Sequence, residues 1–438
     1  MSAEAAASFA ASVRWSALPL RVRDRAESAL KDTLGCLLAG TRSEAFAAAR
    51  RAMALDLGGS RGSSAAMRAF ALAIAASAFD HDDGHYEGGG IHPGSTVLPA
   101  LLAASRGDES REDLLAALVV GYEIAIRAGY LLMPQLSGGS YRCTGAASVL
   151  GAAAAVARYR GGSADTIARA IRIAAAHGPF ASLQLPMVKE AIGQAASSAV
   201  TAALLAEAGF GGEGVPFLGI APSPFDTPPF DTPQAADTFA SRLGESWHIL
   251  NIYAKLWPCC RAIHGALASV EAILAQQGWS GDQVERIEVE VMPGLAALDF
   301  LPPASADHAQ FSFPFAIGCL LAKGVVLPEH FLPDGRSDAA ILAAGRKVTL
   351  VESSDLSPLA PNRSYPAAVT IHVAGTARRL RVDDAPGSLR APFPLDRKYR
   401  ANAALSGACD TAALPGQSPA ALVAALTPFL VSPDRSMS

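Results

Sequence analysis

The chain carries little charge and lacks the signatures of several common protein classes. Only 17% of its 438 residues are charged, the net charge is −4, and no long run of lysine or arginine occurs. Nucleic-acid-binding and membrane-binding surfaces depend on such basic runs, so we expect neither partner. The sequence also contains no Walker loop, no strand-linked GxGxxG and no GxSxG elbow, which leaves nucleotide, dinucleotide and serine-hydrolase functions without support.

Cysteine is scarce and scattered. Of the six cysteines, only Cys259 and Cys260 lie close together, and they are adjacent, so no CxxC motif exists. Neither a zinc knuckle nor a disulfide framework is indicated, and a reducing cytoplasm is the expected location. The N-terminus contains Glu4 and has no unbroken apolar core, which argues against a secretory signal, although its Ala/Ser-rich composition leaves a transit peptide open.

Half of the residues are hydrophobic, which is typical of a globular protein with a large interior. Because single cores stop growing at about 250–300 residues, the length predicts two domains or one large domain with a lobe. From residue 4 to about 210, Ala/Leu periodicity predicts helices whose contact faces carry small residues. The most apolar window, residues 114–133, contains Glu123 and Arg127 in mid-span, so it predicts a buried helix and not a membrane span.

The second half of the chain changes character. Residues 209–234 are rich in glycine and proline and predict a loop or linker. After about residue 280, alternating patterns predict strands, the last two forming a hairpin around Gly375, with helices between the strands and at the C-terminus. We therefore predict a mainly α fold: a large all-α helical domain at 1–255, a smaller α+β lid domain at 256–394, and a segment at 395–438 that returns to the helical domain.

One short stretch, FDHDDGHYEGGGIHPGSTVLPA at residues 79–100, concentrates titratable side chains around a glycine run. Three interpretations are open: a solvated acidic turn, a metal site, or metal-free acid–base catalysis in which carboxylates orient a histidine. Ser95 or Thr96 is expected to cap the following helix, so that its N-terminus faces a bound anion. This arrangement favours an anionic substrate over a metal cation.

Two lysines occur in largely apolar sequence, Lys189 in LQLPMVKEAIGQAASSAV and Lys255 in NIYAKLWPCCRAIHG. A buried ammonium group needs a partner, which a bound carboxylate would supply.

The Cys259–Cys260 pair is most simply explained by packing. His264, at the start of a predicted helix, is either a core histidine or an acid–base group.

Several ordered segments together resemble the MmgE/PrpD family, which includes 2-methylcitrate dehydratase, cis-aconitate decarboxylase and iminodisuccinate epimerase. They are WSALPLRVRDRAESALKDTLGCLLAG, FDHDDGHYEGGGIHPGSTVLPALLA, GYEIAIRAG, YRCTGAASVLGAAAAVARYRG, MVKEAIGQAA, KLWPCCRAIHGAL and QFSFPFAIGCLLAKG. The resemblance covers most of the chain. It implies a helical domain with a smaller lid domain, a homodimer, an active site between the domains, and no cofactor.

The resemblance also implies a set of catalytic residues. By position they are His92, Asp80, Lys189, Lys255 and His264. We expect His92 to act as general base or acid, with Asp80 orienting it. The two lysines are expected to bind the carboxylates of the substrate, and His264 is a second acid–base candidate from the lid.

At three positions the chain departs from the decarboxylase-like pattern. Arg142 and Cys260 stand where such members have histidines, and Phe315 stands where they have a tyrosine. These three residues, together with Asp83 and His85 of the loop, are predicted to contact the substrate. Because three potential proton donors are replaced, the pattern argues against conversion of cis-aconitate to itaconate.

The chemistry that the resemblance implies is proton transfer at a carbon next to a carboxylate. We expect a cofactor-independent, metal-free lyase that dehydrates a small hydroxy-polycarboxylate, as 2-methylcitrate dehydratase does. The alternatives are an epimerase, isomerase or decarboxylase acting on a related carboxylate. Two other classes stay open on the residues alone: a metal-dependent hydrolase built on the Asp/His loop, and a carboxylate-binding scaffold without catalytic activity.

Overall fold

The protein is represented by a computed structural model, which describes residues 2–56, 63–88, 90–136, 143–176, 189–211, 241–356, 365–408 and 411–431. Arg142 lies outside these ranges, and so does the predicted linker beyond residue 211. The described residues form a mainly helical protein with one small mixed sheet in the C-terminal region. The predicted fold class is therefore confirmed.

The N-terminal half consists of helices that pack closely through small residues, as predicted. A Cβ atom added to Gly151 would lie only 2.2 Å from the carbonyl oxygen of Gly121 on the neighbouring helix. The helices are α1 (Ser2–Ser12), α2 (Leu20–Gly40), α3 (Glu44–Asp56), α4 (Ala65–Ser77), α5 (Gly94–Ala104), α6 (Arg111–Leu136), α7 (Cys143–Tyr159), α8 (Ala164–Ala176) and α9 (Glu190–Glu207).

Helix α6 contains the apolar window that the sequence predicts to be a buried helix. Its segment Arg111–Leu131 is long and apolar enough to cross a membrane, but 94% of the most apolar window is buried inside the protein. Glu123 and Arg127 are also buried and pair with each other, with Nε and Oε2 3.7 Å apart. Burial of this kind is what a core helix shows.

The C-terminal region contains a four-stranded sheet with the strand order β2-β1-β3-β4. The strands are β1 (Arg286–Val291), β2 (Val348–Glu352), β3 (Ala367–Val373) and β4 (Thr376–Val382). Strands β1 and β2 are parallel and the other pairs are antiparallel, so that Val289 lies opposite both Leu350 and Val369. Strands β3 and β4 form the hairpin predicted around Gly375.

Helices pack on the sheet and then lead back to the N-terminal half. They are α10 (His264–Gln277), α11 (Ala306–Gln310), α12 (Phe313–Lys323), α13 (Pro333–Arg336), α14 (Ala339–Gly345), α15 (Leu395–Ser406) and α16 (Pro419–Leu430). Short 3-10 helices occur at Trp15–Ala17, His248–Asn251, Arg261–Ile263, Leu295–Ala297, Pro328–Phe331 and Thr411–Gly416. Helix α10 packs on β3 and β4, while α15 packs on α2 and α16 contacts α5. The domain boundaries at residues 255 and 394 stay a prediction.

Candidate active site

The Asp/His loop joins the end of α4 to the start of α5 and is held in shape by backbone pairing. The amide of His85 donates to the carbonyl of Ile91 at 2.9 Å, and Gly84 and Tyr253 exchange two backbone hydrogen bonds at 3.0 and 2.8 Å. A Cβ atom on Gly84 would lie 2.3 Å from the Tyr253 hydroxyl oxygen. Glycine therefore allows the loop to pack directly on the segment that carries Lys255.

Lys255 and Asp80 form a buried ion pair at the centre of the loop. The Lys255 ammonium donates to the Asp80 carboxylate and to the Asp80 carbonyl oxygen, both at 2.7 Å. Burial opposes ionisation of Asp80, but the positive charges of Lys255 and Lys189 help to outweigh it, and the pKa of Asp80 lies below its ordinary value. Asp80 has φ 48, a left-handed backbone conformation that is unusual for a residue other than glycine.

His92 lies beside this pair with a defined tautomer. Its Nδ1 is 2.5 Å from the carbonyl oxygen of Asp83, and because a carbonyl only accepts, Nδ1 carries the proton. Among the residues that the structure describes, none forms a hydrogen bond with Nε2. Burial lowers the pKa of His92 despite the nearby Asp82 carboxylate, so the ring is neutral at pH 7 and Nε2 can accept a proton.

The structure changes one predicted role in the loop. We expected the Asp80 carboxylate to orient His92, but that carboxylate is held by Lys255, and the orienting contact comes from the backbone of Asp83. The carboxylate near His92 belongs to Asp82, whose Oδ1 lies 3.8 Å from Nδ1. Asp82 is fully buried, and neither of its oxygens has a hydrogen-bond partner within the described part of the chain. Residue type alone cannot distinguish three aspartates in four positions, so the sequence did not single out Asp82.

Lys189 connects the helical part of the site to the C-terminal region. Its ammonium donates to the Ser77 carbonyl at 3.0 Å and to Gln310 Oε1 at 2.7 Å, and lies 3.4 Å from Asp307 Oδ1. Ser77 is the last residue of α4, where the helix dipole favours a positive charge. Gln310 and Asp307 lie on α11 and carried no signal in the sequence that would link them to Lys189.

The N-terminus of α5 is occupied by a side chain of the loop itself. The Gly94 amide donates to Asp83 Oδ1 at 3.2 Å, and the Tyr122 hydroxyl donates to Oδ2 at 2.5 Å. The expectation that Ser95 or Thr96 caps this helix is wrong, because both lie within its first turn and the cap position forms no side-chain hydrogen bond. Burial raises the pKa of Asp83 to about 7. Its predicted contact with substrate stays a prediction.

His264 has both ring nitrogens engaged. Arg261 Nη1 lies 3.2 Å from Nδ1, and Nε2 lies 3.3 Å from the Cys259 carbonyl oxygen. The side chain is 0% exposed, and burial together with the Arg261 charge lowers its pKa well below the ordinary value. The predicted acid–base role of His264 would require one of these two contacts to break.

His85 faces a different group of side chains from His92. Its ring packs edge-on against Tyr130 and His248, with centroids 5.7 and 6.1 Å away, and its Nδ1 accepts from the Gly88 amide at 2.9 Å. Burial and the nearby His248 lower the pKa of His85 to about 3. Its predicted contact with substrate also stays a prediction.

The three positions that depart from the decarboxylase-like pattern lie in different surroundings. Phe315 is fully buried in α12, and the centroids of its ring and the Phe331 ring are 5.5 Å apart. Packing alone is enough to explain a phenylalanine at this position. Cys260 is partly exposed, and its amide donates to the Gln310 carbonyl at 2.8 Å, which brings it next to the Lys189 contact. Arg142 lies outside the described residues. The substrate contacts predicted for all three remain predictions.

The site combines a neutral base, His92, with the buried ammonium group of Lys255, and Asp80 is close enough to feel the charge of a second one, Lys189. Ammonium groups bind and stabilise carboxylates, and a neutral imidazole can take a proton from an adjacent carbon.

Within the described ranges, no group of three His, Cys, Asp or Glu side chains is arranged to hold a metal ion. A small cleft, partly open to solvent, borders the loop at Asp83 and Tyr253 but is not lined by His92 or either lysine, so we define the site by its side chains.

Comparison with known proteins gives matches over both halves of the chain. The MmgE/PrpD N-terminal domain matches residues 4–220 and the MmgE/PrpD C-terminal domain matches residues 257–413. A cis-aconitate decarboxylase-like protein, oryM, of Aspergillus oryzae is 30% identical over 302 residues, covering 62% of this chain and 62% of the relative. A cis-aconitate decarboxylase of Aspergillus terreus is 28% identical over 281 residues, covering 58% and 56%. The matches thus span about three fifths of these curated relatives.

Proposed function

This chain belongs to the MmgE/PrpD family, and we propose that it is a lyase that removes a proton from a carbon next to a carboxylate of a small polycarboxylate. The observation that carries the proposal is the tautomer of His92, whose Nδ1 is committed to the Asp83 carbonyl. Its Nε2 is therefore the basic nitrogen, and Lys255 and Lys189 supply positive charge close by. We propose further that the enzyme works without a cofactor and as a homodimer.

The proposed first step is transfer of the carbon-bound proton to Nε2 of His92. Such a proton is weakly acidic, and the negative charge left on the substrate spreads onto its carboxylate as an enediolate. The ammonium groups of Lys189 and Lys255 stabilise that charge. The imidazolium that forms keeps its Nδ1–H on the Asp83 carbonyl, and the Asp82 carboxylate, 3.8 Å from Nδ1, offsets its new positive charge.

We propose dehydration as the outcome of this step. The carbon–hydrogen bond breaks to His92, a carbon–carbon double bond forms, and the neighbouring hydroxyl leaves as water after taking a proton from the imidazolium or a lysine ammonium. Arg142, Cys260 and Phe315 replace potential proton donors of the decarboxylase pattern, which argues against decarboxylation but does not choose between dehydration and epimerisation. Reprotonation on the opposite face would instead make the enzyme an epimerase or isomerase.

Decarboxylation is the second candidate, and a specific observation favours it. The two relatives described above are named cis-aconitate decarboxylase and cis-aconitate decarboxylase-like protein. Both outcomes begin from a substrate whose carboxylates are held by ammonium groups. They differ in which bond of the substrate breaks, carbon–hydrogen or carbon–carbon.

Proton–deuterium exchange followed by NMR tests the proposal on a panel of small carboxylates. The protein is incubated in D₂O with malate, citrate, 2-methylcitrate, cis-aconitate and iminodisuccinate. We expect loss of a C–H signal next to a carboxylate for at least one compound, with an alkene signal if water is lost. Absence of exchange, of alkene formation and of CO₂ release with every compound would contradict the proposal. Metal analysis of the purified protein, together with the same assays after chelator treatment, tests the metal-dependent alternative, which requires a stoichiometric metal whose removal abolishes activity.

A further inference from the structure

Helix α15, near the C-terminal end of the chain, reaches the back of the active-site loop through a buried lysine. Lys398 Nζ lies 2.6 Å from Asp32 Oδ1 on α2 and donates to the backbone carbonyl of His81 at 2.6 Å. The side chains of Lys398 and Asp32 are 1% and 3% exposed. Among the residues that the structure describes, Asp32 has no hydrogen-bond partner apart from this ion pair.

Three further contacts hold His81 in place. The Cys36 thiol donates to the His81 carbonyl at 3.2 Å, and His81 Nε2 lies 3.1 Å from the Leu256 carbonyl oxygen. Because that carbonyl only accepts, Nε2 carries the proton, and Nδ1 is left to accept from Asn402 Nδ2 at 3.4 Å. His81 therefore connects α2, α15 and the segment that follows Lys255.

The neighbours of His81 in the chain are two residues of the candidate site. Asp80 precedes it with φ 48 and pairs with Lys255, and Asp82 follows it, 3.8 Å from His92. A left-handed backbone at a residue other than glycine persists only when the surroundings hold it there. Lys255 and Ser77 hold Asp80 directly, and the contacts to His81 hold the adjoining residue.

We propose that Lys398, Asp32 and Asn402 are positioning residues, which anchor the active-site loop through His81 and thereby set the geometry of Asp80 and Asp82. Helix α15 thus completes the site without touching the reacting atoms. The catalytic consequence rests on the function proposed above, whereas the anchoring of the loop does not.

A role in docking α15 onto α2 would not by itself require a buried ion pair. Replacing such a pair by apolar side chains of similar volume is often neutral or stabilising. What apolar side chains cannot replace is the hydrogen bond from the ammonium to the loop backbone. The same two helices are also joined by a more exposed ion pair, Lys31 with Asp396, which forms no recorded hydrogen bond or ion pair with the described part of the loop and provides a matched control.

The test compares Asp32→Leu/Lys398→Met with the control Lys31→Met/Asp396→Asn. The first variant removes both buried charges together, so that neither is left unpaired. Amide hydrogen exchange, read by mass spectrometry over residues 79–86, measures the anchoring directly. We expect exchange in this loop to accelerate by on the order of tenfold or more in the buried-pair variant, because local opening becomes easier, and to stay unchanged in the control.

Turnover of the panel compound that the wild type exchanges fastest gives the second readout. We expect kcat to fall by about a hundredfold, because a misplacement of about 1 Å can have that effect. We expect KM to change less than kcat, because of the two lysines proposed to bind the carboxylates only Lys255 contacts the loop, whereas Lys189 contacts Ser77 and Gln310. A role in global stability alone would leave kcat of the folded fraction unchanged.

Wild-type loop protection and wild-type kcat in the buried-pair variant would overturn the proposal. If that variant does not fold, Asn402→Leu removes one contact to His81 without any change of charge, and unchanged loop exchange there would overturn it equally. If the wild type turns over no carboxylate, the proposed function fails, while the exchange measurement still decides whether α15 anchors the loop.

Discussion

The Nδ1 atom of His92 lies 2.5 Å from the backbone carbonyl oxygen of Asp83, and this contact decides which ring nitrogen can act as a base. A backbone carbonyl cannot titrate, so the tautomer is fixed independently of pH and of the protonation of nearby carboxylates. The Asp82 carboxylate lies 3.8 Å from the same nitrogen and acts on the charge of the ring, not on its tautomer. Asp83 thus orients the His92 ring, and the adjacent Asp82 offsets its charge.

The pH dependence of the reaction tests the separate roles of the Asp83 carbonyl and the Asp82 carboxylate. Only neutral His92 accepts a proton, so kcat/KM falls as the pH drops through the pKa of His92. Burial lowers that pKa, and we expect the wild-type activity to hold to a pH below the ordinary value of 6.5. Asp82 raises the pKa of His92, so Asp82→Asn should lower it further and move the acidic limb to lower pH.

The plateau activity of Asp82→Asn should fall as well, because the imidazolium loses its counter-charge. We expect a loss of about tenfold, well short of the roughly 10⁴-fold loss when a hydrogen-bonded orienting carboxylate is removed. The measurement is the profile of kcat/KM between pH 4.5 and 8 for wild type and variant. Its lower end lies about two pH units below the ordinary pKa of histidine. An acidic limb that stays in place or moves to higher pH would refute the role of Asp82.

Lys189→Met should weaken binding of the substrate. Loss of one charge-assisted hydrogen bond corresponds to about 1.5–3 kcal/mol, or roughly 10- to 100-fold in Kd. Titration calorimetry with the carboxylate that the wild type turns over measures the change. The control is Lys323→Met, which removes a lysine from an exposed ion pair with Asp338. An unchanged Kd in a folded Lys189→Met protein would place this lysine outside the binding site.

Arg142 should help to decide which substrate is accepted. A guanidinium with a pKa above about 12 cannot exchange protons at neutral pH, so a potential proton donor is replaced by a fixed positive charge. We predict no useful conversion of cis-aconitate to itaconate, and a large loss of activity in Arg142→Lys, because lysine cannot form the two-pronged contact with a carboxylate.

Itaconate formation followed by NMR, and kcat/KM of Arg142→Lys and Arg142→Ala on the true substrate, test this prediction. Rapid itaconate formation would favour the decarboxylase function and contradict the interpretation of the three departures. Wild-type kcat/KM in both variants would show that Arg142 does not contact the substrate.

Local patterns in the sequence were sufficient for much of the fold. The helix-like window at residues 114–133 predicted α6, and alternation around Gly375 predicted the β3–β4 hairpin, because both signals arise between residues a few positions apart. The parallel pairing of β1 with β2 had no such signal, since strands that pair in parallel must lie far apart in the chain. The concentration of Asp and His likewise marked the loop but not the division of roles within it.

The parts of the site that the sequence did not reveal depend on long-range contacts. Lys398 lies in LDRKYRAN, an ordinary polar helix sequence in which nothing indicates burial. Asp32 lies at the opposite end of the chain, and only the packing of α15 on α2 brings the two together. Asp83 was named from the sequence as a substrate contact, but its role at the start of α5 was not. That role depends on the conformation of a loop that no local pattern encodes.

The most direct test of proton transfer by His92 is deuterium incorporation into the substrate by wild type and by His92→Gln. General acid–base catalysis contributes about 10²–10⁴-fold to rate, so we expect exchange to slow by that factor. Calorimetry should show nearly unchanged affinity, since both lysines remain. His372→Gln, which changes a partly exposed histidine on β3, should exchange like the wild type. Exchange in His92→Gln at a rate close to that of the wild type would contradict the proposed role of this histidine as the catalytic base.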